Sequence, residues 1–281
     1  MFEKLYDKIF EEIGFCNRNY IRFVVLKHSF MRIKISFLKV HGSNGTVPLH
    51  HQKIVSAFID EVAREISIPD QSYNFSSLKG TSKIQNGQIR FLSSKVSLVL
   101  SSANELFLKT LVDKIFERRL VSFAKLTLVP KSQYTIPDPD FKTLMKYVCI
   151  SPVIPDNPIE AGNDVPDPIN PTTTEFSDML YDVVIDKMEK HGYGEEQLNQ
   201  FAEFEIAPDA DYIQKIISNQ KKFARLYKNN DNLSILGYLL PFTMHAHPEV
   251  HKFVWQQGLG KFTLQGYGML DIVGHSAEET E

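Results

Sequence analysis

Between Met31 and Lys131 the spacing of apolar residues switches between a period of two and one of 3.6 in an order that leaves few folds open. The stretch "MRIKISFLKV" (31–40) sets Ile33, Ile35 and Phe37 against Arg32, Lys34 and Ser36, the pattern of a half-buried strand. "HQKIVSAFIDEVAREI" (51–66) then places Val55, Phe58, Ile59, Val62 and Ile66 on one helical face. Asn86-Gly87 joins "SKIQ" to "QIRFLS", a type I′ hairpin signal, and "KVSLVLS" alternates again. Ser102 and Glu105 have capping-box spacing and open a helix carrying Leu108, Leu111, Val112 and Ile115 on one side. "LVSFAKLTLVP" (120–130) closes the set as a strand whose alternation slips near Ala124.

The order β-α-β-β-α-β, with room for an extra hairpin strand, predicts a ferredoxin-like (RRM-like) half. The remainder reads as a distorted copy. A Pro- and Asp-rich insert (151–175) is too polar to bury itself and is expected as a surface loop. A helix near 175–190, strand-like stretches at 201–206, 212–228 and 233–244, a short helix at 247–257 and a final strand in "GYGMLDIV" follow. The expected fold class is α+β: two tandem ferredoxin-like domains, 31–135 and 136–281, behind an N-terminal helical appendage (1–30). With 43% hydrophobic residues the chain can build sizeable cores. No apolar run is long enough for a membrane span. Two cysteines, Cys16 and Cys149, imply no disulfide framework and point to the cytoplasm.

The net charge of −3 conceals segregation. Lys79, Lys83, Arg90, Lys95 and further bases crowd residues 79–131, and Lys215, Lys221, Lys222, Arg225, Lys228, Lys252 and Lys261 crowd 215–261, while most of the excess acid lies between Asp156 and Asp211. A polyanion responds to the local field, so the two basic regions are able to form one binding surface; unevenly charged solvated surface is the plainer reading.

Four of the 14 glycines, Gly258, Gly260, Gly266 and Gly268, fall in "GLGKFTLQGYG". Glycine allows left-handed backbone and close approach, which suits either a tight connector or a surface that holds something. "MRIKISFL", "VPLHHQKIVSAFI", "ISPVIP", "ILGYLLPFTM" and "GLGKFTLQGYGMLDIV", in that order, resemble the CRISPR-associated endoribonucleases of the RAMP superfamily, over about residues 31–273. The resemblance implies the double ferredoxin-like fold, binding of CRISPR repeat RNA, and metal-independent cleavage of precursor crRNA by 2′-OH attack, leaving 2′,3′-cyclic phosphate and 5′-OH ends. It also sets the glycine-rich loop (258–268) beside the RNA-binding face, where its amides approach phosphates or the partner domain. The loop departs from the family pattern at Leu264, where a serine is usual, and at Tyr267, where a phenylalanine is.

Relatives place a histidine just after the first helix; here residues 67–83 hold none, and Ser76 or Ser77 stands in that position. Lys83 matches a family catalytic lysine, and Asp60 falls where some members carry a tyrosine. The catalytic candidates are therefore His51, His50, Lys83 and Tyr73. Histidine titrates near working pH, and a helix N-terminus disfavours imidazolium, although capping or packing serves equally as a role for the pair. Lys79, Arg90, Lys261 and the four glycines are the RNA-binding candidates. His245, His247 and His251 have a spacing that invites a metal, yet no cysteine and no carboxylate beyond Glu249 supports one. No phosphate-loop, nucleophile-elbow or HExxH motif occurs. No metal or cofactor is expected. Expected partners are CRISPR repeat RNA, with other effector subunits or a second copy of the chain beside it. The alternative to the enzyme is a non-catalytic repeat-binding subunit; a third reading is an interaction module without RNA.

Overall fold

The computed structural model describes residues 30–42, 45–68, 72–160 and 162–274; the N-terminal appendage lies outside them. In the first half, β1 (Met31–Lys39) runs antiparallel between β6 (Lys95–Ser102) and β8 (Leu126–Thr135), with β3 (Tyr73–Phe75) and β7 (Val121–Phe123) outermost, in the order β3-β6-β1-β8-β7. Helices α1 (Gln52–Ala63) and α2 (Glu105–Glu117) cover the sheet face that carries Ile33, Ile35, Phe37, Leu98 and Leu100, all buried in one core. Burial of such side chains is worth roughly 1.5–3 kcal/mol each.

Strands β2 (Thr46–Pro48), β4 (Ser82–Gln85) and β5 (Gln88–Phe91) form a separate small sheet in the order β2-β5-β4. Its tip has Asn86 at φ 50° and Gly87 at φ 69°, the two left-handed residues a type I′ turn requires.

Two local expectations change. The N-cap of α2 is Asn104, whose Oδ1 accepts from the Phe107 amide at 3.0 Å. Ser102 does not cap, because β6 holds it opposite Met31 and Tyr73, and its hydroxyl donates to the Ser72 carbonyl at 2.6 Å. The slip near Ala124 is a reversal: Ala124 sits at φ 54° and β7 turns back on β8, so one expected strand is a hairpin.

The second half contains β9 (Leu144–Cys149), α3 (Thr174–Lys190), α4 (Glu195–Leu198), β10 (Phe204–Pro208), α5 (Ala210–Ser218), β11 (Ala224–Lys228), β12 (Ser234–Tyr238), β13 (Pro241–Ala246), α6 (Pro248–Gln257) and β14 (Leu270–Ile272). Its sheet order, β10-β13-β9-β14, is the second, third, first and fourth strand of a β-α-β-β-α-β unit, as in the first half. Each half carries a hairpin between its second and third strands, β4–β5 in one and β11–β12 in the other. The stretch 212–228, read as strand, begins as a helix because Asp209 caps it, accepting from the Tyr212 amide at 2.9 Å.

The insert is also not surface throughout. Ser151, Val153 and Ile154 are buried, and Val153 and Ile154 bridge to Tyr238 and Gly260.

A second core spans Met145 to Leu270, and Val99, Ile150 and Met269 join the halves. Arg32, on the face of β1 away from the helices, reaches across this junction. Its Nη2 donates to the Leu270 carbonyl at 2.7 Å, and its guanidinium lies 3.7 Å above the Trp255 ring. Burial pulls it down to about 10, with Asp271 and Asp138 opposing the shift. Among the described residues, no helix is long and apolar enough to cross a membrane.

Candidate nucleic-acid interface

Three adjoining cavities run from the first half to the second. One of about 450 Å³ holds Lys34, Lys79 and Lys95 among serines. The next, about 320 Å³, shares Lys79 and Gly80 with it and reaches Arg225. The third, about 250 Å³, shares Arg225 and Leu239 and adds Lys221 and Lys222. Among the described residues, no acidic side chain lines any of the three. The result is a lane of cations drawn from both halves, with hydroxyls between them, suited to a chain of anionic groups.

Lys79 is the hinge of this lane. An antiparallel bridge to Ser97 fixes its backbone, and it has no ion-pair partner among the described residues. Burial pulls its ammonium below lysine's ordinary value, with Cys149 and Asp271 opposing. A docked anion would reverse that shift.

His51 is buried, and its Nε2 accepts from the Leu78 amide at 3.1 Å, so the ring proton belongs on Nδ1. Nδ1 leans toward the Pro48 and Leu49 carbonyls without completing a hydrogen bond to either. Burial drives the imidazole down to about 4, with Lys79 and His50 adding to the fall. With one nitrogen accepting and the other protonated, His51 has no lone pair for a substrate proton. It braces the turn that presents Lys79, the packing role that the sequence left open beside that of a base.

The linkage has a definite sign. A histidine at 6.5 unfolded and about 4 folded contributes stability above 6.5, lost as pH falls from 6.5 toward 4. The full contribution is roughly 3 kcal/mol. In His51→Asn the stability lost between pH 7 and 4 should be smaller by about that amount, as read by denaturant titrations at each pH; parallel curves for the two proteins would refute it.

His50 is the open member of the pair. Its ring meets Tyr227 edge-on at 4.7 Å between centroids, and burial, then Arg225, lowers its pKa, keeping the ring neutral. Tyr73 is engaged elsewhere: its hydroxyl donates to Asp60, its ring stacks on Phe107, and burial followed by the Asp60 bond raises its pKa. Lys83 and Arg90 are cross-strand neighbours on the β4–β5 hairpin, and it is their alternates Ile84 and Ile89 that line the middle cavity. The pair therefore faces away from it. Ser76, one of the two serines that the resemblance sets at the family's histidine position, is fully buried and accepts from the Val99 amide at 2.9 Å.

The glycine loop is packed against protein. All four glycines have positive φ. A Cβ on Gly266 would lie 2.0 Å from the Phe75 ring, one on Gly258 2.4 Å from Asn74, one on Gly260 2.5 Å from the Ile154 carbonyl, and one on Gly268 1.9 Å from the Leu259 carbonyl. The amides of Leu259, Lys261 and Gly268 donate to Gly268, Ile154 and Pro152. Of the two uses expected for the loop, joining the halves is the one this geometry occupies, and the amides of Gly258, Gly266 and Gly268 donate to the Val254, Thr263 and Pro152 carbonyls. Lys261 bonds Asn157 of the insert at 2.8 Å. The three spaced histidines diverge: His247 caps α6, His251 bonds the Tyr147 hydroxyl at 3.0 Å, and His245 lies on β13.

Residues 136–272 match the family model for CRISPR associated protein Cas6, C-terminal. The second half of the chain is that of a Cas6-like CRISPR-associated protein. The chain is similar in fold to a solved structure described as "Characterization of a Cas6-related gene from Pyrococcus furiosus", with TM-score 0.68 and 21% identity over 89% of this chain and 100% of that one. It is also similar to "CRISPR associated protein Cas6", with TM-score 0.66 and 17% identity over 87% and 99%. A third, "An RAMP protein binding different RNA substrates", gives 0.68 and 21% over 86% and 99%. No curated protein matches the sequence.

Sequence reasoning about this chain missed Lys34, Gln52, Tyr227 and Lys187. Lys187 of α3 supports the loop, its Nζ donating to the Gly258 and Gly260 carbonyls at 3.1 and 3.4 Å and to the Thr263 hydroxyl at 3.2 Å; burial lowers it to about 7. A lysine in a mainly polar helix carries no local mark of such a partner. Lys34 did carry one, since it stands on the face of β1 opposite Ile33 and Ile35.

Proposed function

We propose that this chain binds CRISPR repeat RNA along the cationic lane and cuts precursor crRNA without a metal, in the cytoplasm, alone or beside other effector subunits or a second copy. The observation that carries the reading is the carboxylate-free run of lysines and arginine drawn from both halves. Phosphate contacts of this kind place an RNA and give the bulk of its affinity.

For the cut, the 2′-OH must lose a proton, attack the adjacent phosphorus in line and displace the 5′-oxygen, which takes up a proton, leaving a 2′,3′-cyclic phosphate and a 5′-OH. His50, neutral and open beside Arg225, serves as the base that accepts the 2′-OH proton. Lys79 stabilises the added charge on the phosphoryl oxygens. The structure described as "Cas6 (TTHB231) product complex", with TM-score 0.51, shares the fold.

Three observations favour a repeat-binding subunit that does not cut: a serine, Ser76 or Ser77, stands at the family's histidine position, Tyr73 is tied to Asp60, and His51 Nε2 is taken up by the Leu78 amide. Incubation of end-labelled repeat RNA in EDTA, beside a copy 2′-deoxy at the cut site, separates the readings. A single cut that vanishes with the deoxy RNA, and falls about 10²-fold or more in His50→Ala, is the expected result. Tight binding without a cut would establish the subunit instead.

A further inference from the structure

The middle cavity has both apolar walls and cations. Apolar side chains, Ile84, Ile89 and Leu239, and the ring of Tyr227 form walls, while Lys79 and Arg225 stand where it opens into the cavities on either side. Its size falls at the lower end of small-ligand sites, roughly 300–1,000 Å³.

Gln52, only 2% exposed, also lines it. Its Nε2 donates to the Gly266 carbonyl, and because a carbonyl only accepts, that contact fixes which way round the amide lies. Oε1 is consequently left buried and without a partner. A buried acceptor that lacks a donor is unfavourable, and here it lies in a side chain that lines an apolar cavity with cations at both mouths. Apolar faces, an N–H on the edge and an anionic group on each side describe one nucleotide of a single strand. A free sugar has neither the apolar faces nor the flanking anions.

Resting on the RNA-binding reading above, we propose that this cavity receives one unstacked nucleobase of the bound RNA. Its faces lie against Tyr227 and the Ile84–Ile89 pair, an edge N–H donates to Gln52 Oε1, and its flanking phosphates lie on Lys79 and Arg225. The lane then carries affinity, and this pocket marks the register of the strand.

An abasic scan tests this directly. Repeat RNAs lacking one base at a time are titrated by filter binding against the wild type, Gln52→Leu and Ile84→Ser. Ile84 is 53% exposed, so its variant keeps the fold even if loss of the Gln52–Gly266 contact loosens the other. The expected result is one position at which base removal weakens wild-type binding by about ten- to a hundredfold, the range of a lost base–aromatic stack. In Gln52→Leu that penalty falls by about two- to tenfold; in Ile84→Ser it shrinks, while penalties elsewhere are unchanged. A wild type with no such position, or a penalty that survives intact in both variants, overturns the pocket but leaves RNA binding standing. A wild type that binds no repeat RNA at low salt overturns the pocket and the reading beneath it together.

Discussion

Gly268→Ala is expected to remove roughly 4 kcal/mol or more of stability, enough to make the chain fold poorly at ordinary temperature. Two causes add. Gly268 has φ 72°, where a side chain clashes with its own backbone, at about 1–2 kcal/mol. The new Cβ would also sit 1.9 Å from the Leu259 carbonyl oxygen and 2.9 Å from its carbon. Both are main-chain atoms, and the Leu259 amide is itself bonded back to Gly268 at 2.8 Å. The Gly268 amide meanwhile donates to Pro152 at 2.7 Å. No flexible tip is present to yield, so relief requires moving the loop off the first half, where Gly266 lies against Phe75 and Gly258 against Asn74.

Gly192→Ala is the control. Gly192 has φ 91° with nothing within 4 Å of a built Cβ, so only the backbone term applies. Denaturant titrations of the three proteins give the comparison. If Gly268→Ala loses no more than Gly192→Ala, the loop is not the rigid joint described above.

The second large effect is on binding. If a single strand neutralises about six of the lane's cations, the slope of log affinity against log salt should be about −4, so that affinity falls roughly 200- to 300-fold between 50 and 200 mM salt. Replacing Lys79, Lys222 and Arg225 together with alanine should flatten the slope by about 2 and lower affinity uniformly across RNA sequences. Lys222 and Arg225 are exposed, so their loss leaves the fold intact; the triple variant's melting curve checks Lys79, which is largely buried. Replacing Lys83 and Arg90, on the outer face of their hairpin, should change the slope far less. Equal effects from the two sets would move the RNA path off the lane.

Much of this architecture is legible along the chain because it rests on local chemistry. Alternation in β1 separates Ile33, Ile35 and Phe37 from Arg32 and Lys34 without help from any partner. Asn86-Gly87 announces its turn through backbone angles that few other pairs adopt. The repeated strand–helix order declares two like halves, and clustered bases declare a surface for anions. Features with competing local readings were not legible. Ser102 has the spacing of a cap but is held in β6 by pairing to Met31, 71 positions away in sequence.

The site itself belongs to the tertiary structure. Lys79 and Arg225 line one cavity only because a turn of the first half meets the β11–β12 hairpin of the second. Burial and the Leu78 amide decide how His51 is held, and Gly266 decides which atom of Gln52 is left without a partner. Sequence by itself determined two like halves, their turns and a supply of cations, since each depends on interactions within a few residues. Packing between segments a hundred or more residues apart determined which cations share a lane and which polar atoms are left to meet a ligand, because burial and partnership exist only once the halves touch.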